Sequence, residues 1–204
     1  MRILTVEKQK EIRKIDVESI ETRATESNNH LIEGYINKFD KKSQFLGFFE
    51  QVDRNAFNRT LAQGHNIFGM YNHSSDKILG STKTGSLKLS VDEVGLRFSL
   101  QINPNVSYAK DVYELVRSGD VEGCSFGFYV LEDEWSYQDD GTELRTILDL
   151  ELLECTITPF PAYLDSEASV RSYDQFKNKQ LEQQKQEEQR KLKQRQIEIE
   201  LELL

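Results

Sequence analysis

The clearest pattern in the chain is a strict alternation from Cys124 to Val130. Cys124, Phe126, Phe128 and Val130 share one parity, and Ser125, Gly127 and Tyr129 the other. A period of two predicts a strand whose apolar set faces a core. The second face is unusual: a hydroxyl, then no side chain, then an aromatic with a polar tip. A glycine inside a strand marks a place where another backbone comes close. A small nucleophile beside it suggests a groove for an extended peptide. The turn Gly119–Gly123 leads into this strand, because Gly and Asp readily supply turn geometry.

The same reading extends along the chain. Residues 1–14 are charged and irregular and predict a flexible N-terminus. Ile15–Thr25 and Leu31–Phe39 predict a first hairpin around Asn28-Asn29, and Gly47–Val52 a short strand. Asp53 is placed as the cap of a helix that stops at Gly64. Asn66–Tyr71 predicts a strand running into the polar loop Asn72–Lys77. Extension resumes at Ile78–Thr82, and Ser86–Val91 and Gly95–Ile102 predict a second hairpin. Ser107 is placed as the cap of a helix ending at Gly119. After the Cys124–Val130 strand comes the turn Asp139-Asp140-Gly141, and then a long strand, Thr142–Thr158, broken by Pro159-Phe160-Pro161.

That last strand changes parity. Leu148, Leu150 and Leu152 form one apolar set, whereas Leu153, Cys155 and Ile157 form the next. Two adjacent leucines at the switch predict a β-bulge that turns Glu154 onto the polar face; bulges are over-represented beside active sites. Up to about residue 172 the pattern is of many short strands, two modest helices and Gly or Asx turns. It predicts a mainly β, α+β domain, an antiparallel sheet or barrel with helices around it, spanning residues 15–172. Residues 173–204 have no Gly or Pro and are dominated by Gln, Glu and Lys, with apolar positions that hold no heptad. They predict a helical or disordered C-terminal tail.

Composition narrows the function classes. The chain has 204 residues and a formal net charge of -9, which argues against a nucleic-acid partner. It has no apolar run long enough to cross a membrane and no secretory h-region, so it is expected to be soluble and intracellular. Two cysteines, Cys124 and Cys155, are too few for a disulfide framework, and three scattered histidines suggest no metal cluster. No cofactor is expected.

Hydrolytic chemistry needs a nucleophile, a base and an acid that orients the base. Ser125 is the candidate nucleophile. His73 is the best base, because it lies where a strand ends in a polar loop; His65 follows a helix stop, and His30 lies at a predicted hairpin turn. Glu154 stands out as the acid, with Asp149 in reserve. Cys124 could form a Cys–His dyad, but its parity with Phe126 and Phe128 marks it as core.

Taken in order, Gly34-Tyr35, Phe49-Glu50, Asn72-His73, Leu79–Thr82, Gly119-Asp120-Val121, Cys124–Phe128 and Leu153–Thr156 with Pro161-Ala162 resemble the HK97-type prohead proteases of tailed phages. The resemblance covers roughly residues 30–172, the span of those motifs. It implies a serine endopeptidase similar to the herpesvirus assemblins, an antiparallel β-barrel wrapped by helices. Residue by residue it implies His73 as base, Ser125 as nucleophile and Glu154 as third member. It further implies action in the host cytoplasm inside assembling proheads, on scaffold or major capsid protein precursor and on the protease itself. A homodimer is the arrangement the assemblin analogy suggests. The rival class is a non-enzymatic capsid-assembly or scaffold protein that retains the barrel.

Overall fold

The computed structural model describes residues 10–15, 20–25, 29–43, 45–159 and 167–202. The predicted turn at Asn28-Asn29, most of the Pro159–Pro161 break and the first nine residues lie wholly or partly outside that set. Two units are distinct, residues 1–166 and 167–204.

The first unit is mostly β, built from two sheets. Its strands are β1 (Lys10–Ile15), β2 (Ile20–Thr25), β3 (Asn29–Lys38), β4 (Phe49–Val52), β5 (Phe68–Tyr71), β6 (Ser74–Ser81), β7 (Leu87–Val91), β8 (Gly95–Gln101), β9 (Gly123–Tyr137) and β10 (Glu143–Thr158). The larger sheet runs β1-β9-β10-β5-β6, with β4 also on β10, and the smaller runs β2-β3-β8-β7. One sheet curls into a half-barrel, so the closed antiparallel barrel of the sequence reading is corrected. The larger sheet is also mixed: β4 and β5 both pair parallel with β10. A strand as long as β10 has room for β5 beside its end and β4 beside its beginning, while β9 covers its other edge throughout.

The predicted second hairpin forms as β7 with β8, and the first forms as β2 with β3, although Ile15, which the sequence reading placed in it, belongs to β1 and pairs with β9. The two helices of this unit are α1 (Asn58–Ala62) and α2 (Ser107–Ser118). Neither predicted cap serves as one. Asp53 accepts a hydrogen bond from the Asn55 N–H in a local Asx turn, and α1 starts five residues later, after Phe57. Ser107 is the first residue of α2, whose N-cap is Val106. Gly119 does end α2, in the left-handed conformation only glycine adopts at little cost.

One apolar cluster joins the two sheets. Ile32, Ile36, Leu96, Phe98 and Leu100 enter it from the smaller sheet; Phe126, Phe128, Leu150 and Leu152 enter from the larger. Phe57 bridges them, its ring packed against Phe39 and Phe126. The second unit is α3 (Glu167–Glu202), a long helix in which Leu181 and Leu192 are exposed. That agrees with the absence of a heptad seam. Among the described residues no helix is long and apolar enough to cross a membrane.

Because Phe57 is fully buried where the sheets meet, Phe57→Ala is expected to cost about 3–5 kcal/mol of stability through lost burial and a cavity. Urea unfolding of both proteins, monitored by circular dichroism, checks this.

Candidate active site

The site is built on the pairing of β9 with β10. Ser125 stands directly opposite Thr156, and Gly127 opposite Glu154. Side chains two apart on a strand share a face, so Ser125, Gly127, Glu154 and Thr156 all lie on one side of the sheet. What places Glu154 there is a register shift between Leu152 and Glu154, at the predicted bulge. Leu152 faces the core fully buried, and one extra residue later Glu154 is on the opposite side. Further shifts flank Asp149, which the sequence pattern does not signal.

His73 arrives from the other side of β10. The predicted loop Asn72–Lys77 is instead a tight turn, since β6 begins at Ser74 and Tyr71 pairs with Ser74. Asn72 and His73 both have positive φ, 51° and 56°. That is the requirement of a two-residue type I′ hairpin turn. The turn is tied to β10 by the Asn72 N–H donating to the Ile157 carbonyl and by the Thr158 hydroxyl donating to Asn72 Oδ1. A non-glycine residue at positive φ is uncommon, although His is among those that tolerate it. Its effect is to aim the imidazole along β10, with Nδ1 2.7 Å from Glu154 Oε1.

Glu154 is 1% exposed. Burial alone would raise its pKa, but the hydrogen bond and charge of His73, the Thr156 hydroxyl and Lys10 outweigh it and hold the carboxyl below its ordinary value. Thr156 Oγ1 donates to Oε2 at 2.6 Å, and Lys10 Nζ lies 2.9 Å from Oε1. An ionised carboxylate only accepts hydrogen bonds, so Nδ1 of His73 is the donor in this contact. Nε2 is buried and makes no hydrogen bond among the described residues.

Ser125 is fully buried, and its hydroxyl donates to the Arg13 carbonyl at 2.8 Å. No hydrogen bond joins it to His73. What links them is Thr156, which stands opposite Ser125 and donates to the carboxylate that holds His73.

The other candidates fall elsewhere. Asp149 is held by Arg59 of α1 at 2.7 Å, away from His73. His65 Nε2 contacts the Leu152 carbonyl, and His30 lies in β3 with its ring against Tyr113. Cys124 is buried in the core, and burial pushes its thiol pKa well up, so it stays an unreactive thiol. The amides of Gly119, Asp120 and Val121 close α2 by donating to Val116 and Leu115 carbonyls. They are therefore not free to receive an oxyanion.

Three features escaped the sequence reading. Lys10 belongs to β1, which begins inside the segment predicted to be flexible. Thr156 was visible only as one residue of the polar parity. On the opposite face of β1, Glu11 and Arg13 enter a buried charge cluster with Glu50 and Arg145. An alternating Glu-x-Arg in a highly charged terminus is indistinguishable from a solvated stretch unless its partners are known.

A model of the caudovirus prohead serine protease family matches residues 18–194. A prohead protease of Escherichia phage T5 is 32% identical over 80 residues, a match spanning 39% of this chain and 36% of that protein. The structure of the bacteriophage T4 capsid assembly protease superposes with a TM-score of 0.50 at 8% identity, covering 74% of this chain and 97% of that one. At that identity the likeness is one of fold.

The Glu154 geometry has a pH signature. Its folded pKa is lowered, so its stabilising contribution is full above the ordinary value of 4.5 and is lost as pH falls below it. Glu154→Gln is expected to lose about 1–3 kcal/mol at pH 7, the cost of leaving buried donors without their acceptor. The difference from wild type should shrink steadily below pH 4.5. Urea titrations across that range measure it, and a constant difference would contradict an ionised Glu154.

Proposed function

The chain belongs to the caudovirus prohead serine protease family, and from that premise we propose that it is a serine endopeptidase acting in capsid maturation. Ser125 is the nucleophile, His73 the general base and Glu154 the residue that orients the base. The observation that carries this reading is the His73–Glu154 pair, with Nδ1 bound to a buried carboxylate and Nε2 without a hydrogen-bond partner among the described residues.

Ser125 Oγ turns from the Arg13 carbonyl toward His73, and Nε2 takes its proton as Oγ bonds to the substrate carbonyl carbon. The imidazolium so formed is stabilised by Glu154, which keeps its charge because it is already held ionised. Nε2–H then protonates the departing amine as the C–N bond breaks. Water repeats the sequence on the acyl-enzyme, giving a carboxylic acid and free Ser125. The substrates are scaffold and capsid-precursor segments, and the chain itself is a further one. Each is presented as an extended strand along β9, where main-chain hydrogen bonding supplies affinity.

Co-expression with the capsid precursor of the same phage, followed by intact mass, tests this. Ser125→Ala and His73→Ala are each expected to lower cleavage by about three orders of magnitude or more, while Cys124→Ala should cut at the wild-type rate. Cleavage that survives Ser125→Ala removes the serine-protease reading. No cleavage by any form leaves the non-enzymatic assembly protein.

A further inference from the structure

Strand β1 lies along the edge of β9 that holds the nucleophile. It pairs antiparallel from Ile15 opposite Cys124 to Lys10 opposite Tyr129, so that it crosses both Ser125 and Gly127. Five contacts show how it fills this edge. The Arg13 carbonyl takes the Ser125 hydroxyl. Lys10 fills the space above Gly127 together with Glu154, so that a β-carbon at Gly127 would collide with both. Lys10 Nζ also sits on the same Oε1 that His73 Nδ1 contacts. On the opposite face, the buried guanidinium of Arg13 is bound by two nitrogens to Glu50, and Glu11 is bound to Arg145. The family match starts at residue 18, beyond this strand.

If β1 is lifted away in thought, the groove has a definite chemistry. Glu50 then presents a carboxylate that Arg13 had satisfied. Arg145, still tied to Asp133 and Glu50, presents the N–H groups that Glu11 had accepted. Residues i and i+2 of an extended strand point the same way, so the Arg145 donors and the Glu50 acceptor are matched by an acidic residue followed two positions later by a basic one. The backbone of the basic residue then delivers its carbonyl to Ser125.

We propose that Lys10–Ile15 occupies the substrate groove as an internal strand, and that the groove selects extended segments carrying an acid-x-base pair, with Arg145 receiving the acid and Glu50 the base. The proposal rests on Ser125 being the nucleophile. It makes the resting chain self-inhibited: the hydroxyl is capped by Arg13, covered from solvent and not directed at His73. Glu50 and Arg145 become the residues that set specificity, acting on side chains of the substrate rather than on the reacting atoms.

The test uses the full chain in three forms, wild type, Glu11→Ala/Arg13→Ala and Lys10→Ala, each compared with a control of the same form in which Ser125→Ala removes the hydroxyl. A fluorophosphonate reports the hydroxyl: Oγ displaces fluoride from phosphorus and the adduct is counted by intact mass. If β1 fills the groove about nine-tenths of the time, the double variant labels about tenfold faster than wild type. The hexapeptide Lys-Glu-Ile-Arg-Lys-Ile should slow that labelling again, whereas the same peptide with Glu and Arg exchanged should not. Lys10→Ala, which removes a side chain 35% exposed at the strand's end, covers the case in which the double variant does not fold. Its labelling should rise about threefold through partial release of the strand. Equal rates in wild type and folded variants overturn the proposal, as does equal protection by both peptides. Labelling in no form that Ser125→Ala abolishes removes instead the reading of Ser125 on which it rests.

Discussion

A carboxylate buried to 1% exposure must be paired or it will take up a proton, and the architecture around Glu154 is organised by that requirement. Its oxygens are met by groups from three separate parts of the chain: the β5–β6 turn through His73, β10 through Thr156 and β1 through Lys10. Gly127 opposite gives it room, since any side chain there would strike Glu154 or Lys10. Each partner has a further consequence. The His73 bond fixes the imidazole tautomer, and the Thr156 bond connects the carboxylate to the residue facing Ser125. The Lys10 bond brings the N-terminal strand onto the same point.

That arrangement depends on one extra residue. Without the shift between Leu152 and Glu154, the parity of Leu148, Leu150 and Leu152 would continue and put Glu154 among the leucines of the core. With it, the same strand keeps Leu150 and Leu152 in the core before the bulge and Cys155 and Ile157 after it, while Glu154 and Thr156 face the site. The site is thus carried on rigid strands, and its precision comes from sheet register.

The bulge was legible because a change of parity shows directly in the order of residues, as was the core face of Cys124, Phe126 and Phe128. Ser125, His73 and Glu154 could each be singled out for the same local reasons. What was not legible depends on partners distant in sequence. Nothing in Phe68–Tyr71 says that it pairs parallel with β10, so the two-sheet, half-open arrangement could not be separated from a closed barrel. Asp53 and Ser107 are good caps by type, yet the chain gives Asp53 to an Asx turn and starts α2 at Ser107 itself. The Asn72–His73 turn reads as a loop because His is a rare choice at positive φ, and a two-residue turn is most easily recognised by glycine. β1 was hidden most fully, since its charges look solvated until Glu50 and Arg145 are found across from them.

The energetics of that charge cluster bear on what kind of strand β1 is. Arg13 and Arg145 keep Glu11 ionised against the burial that would otherwise neutralise it. Buried pairs of this sort contribute little net stability, because desolvation of both partners offsets most of their attraction. Their stronger effect is on register: a strand slipped by one residue would bring Ile12 and Lys14 to the positions that Glu11 and Arg13 hold, and leave Glu50 and Arg145 facing the wrong groups. The half of the cluster that does not belong to β1 can also stand alone, since Arg145 remains bonded to both Glu50 and Asp133. A strand held by contacts that specify register more than they stabilise, against a surface that stays paired in its absence, is suited to leaving. The same physics that places β1 accurately over Ser125 therefore allows another segment with the same charge spacing to replace it.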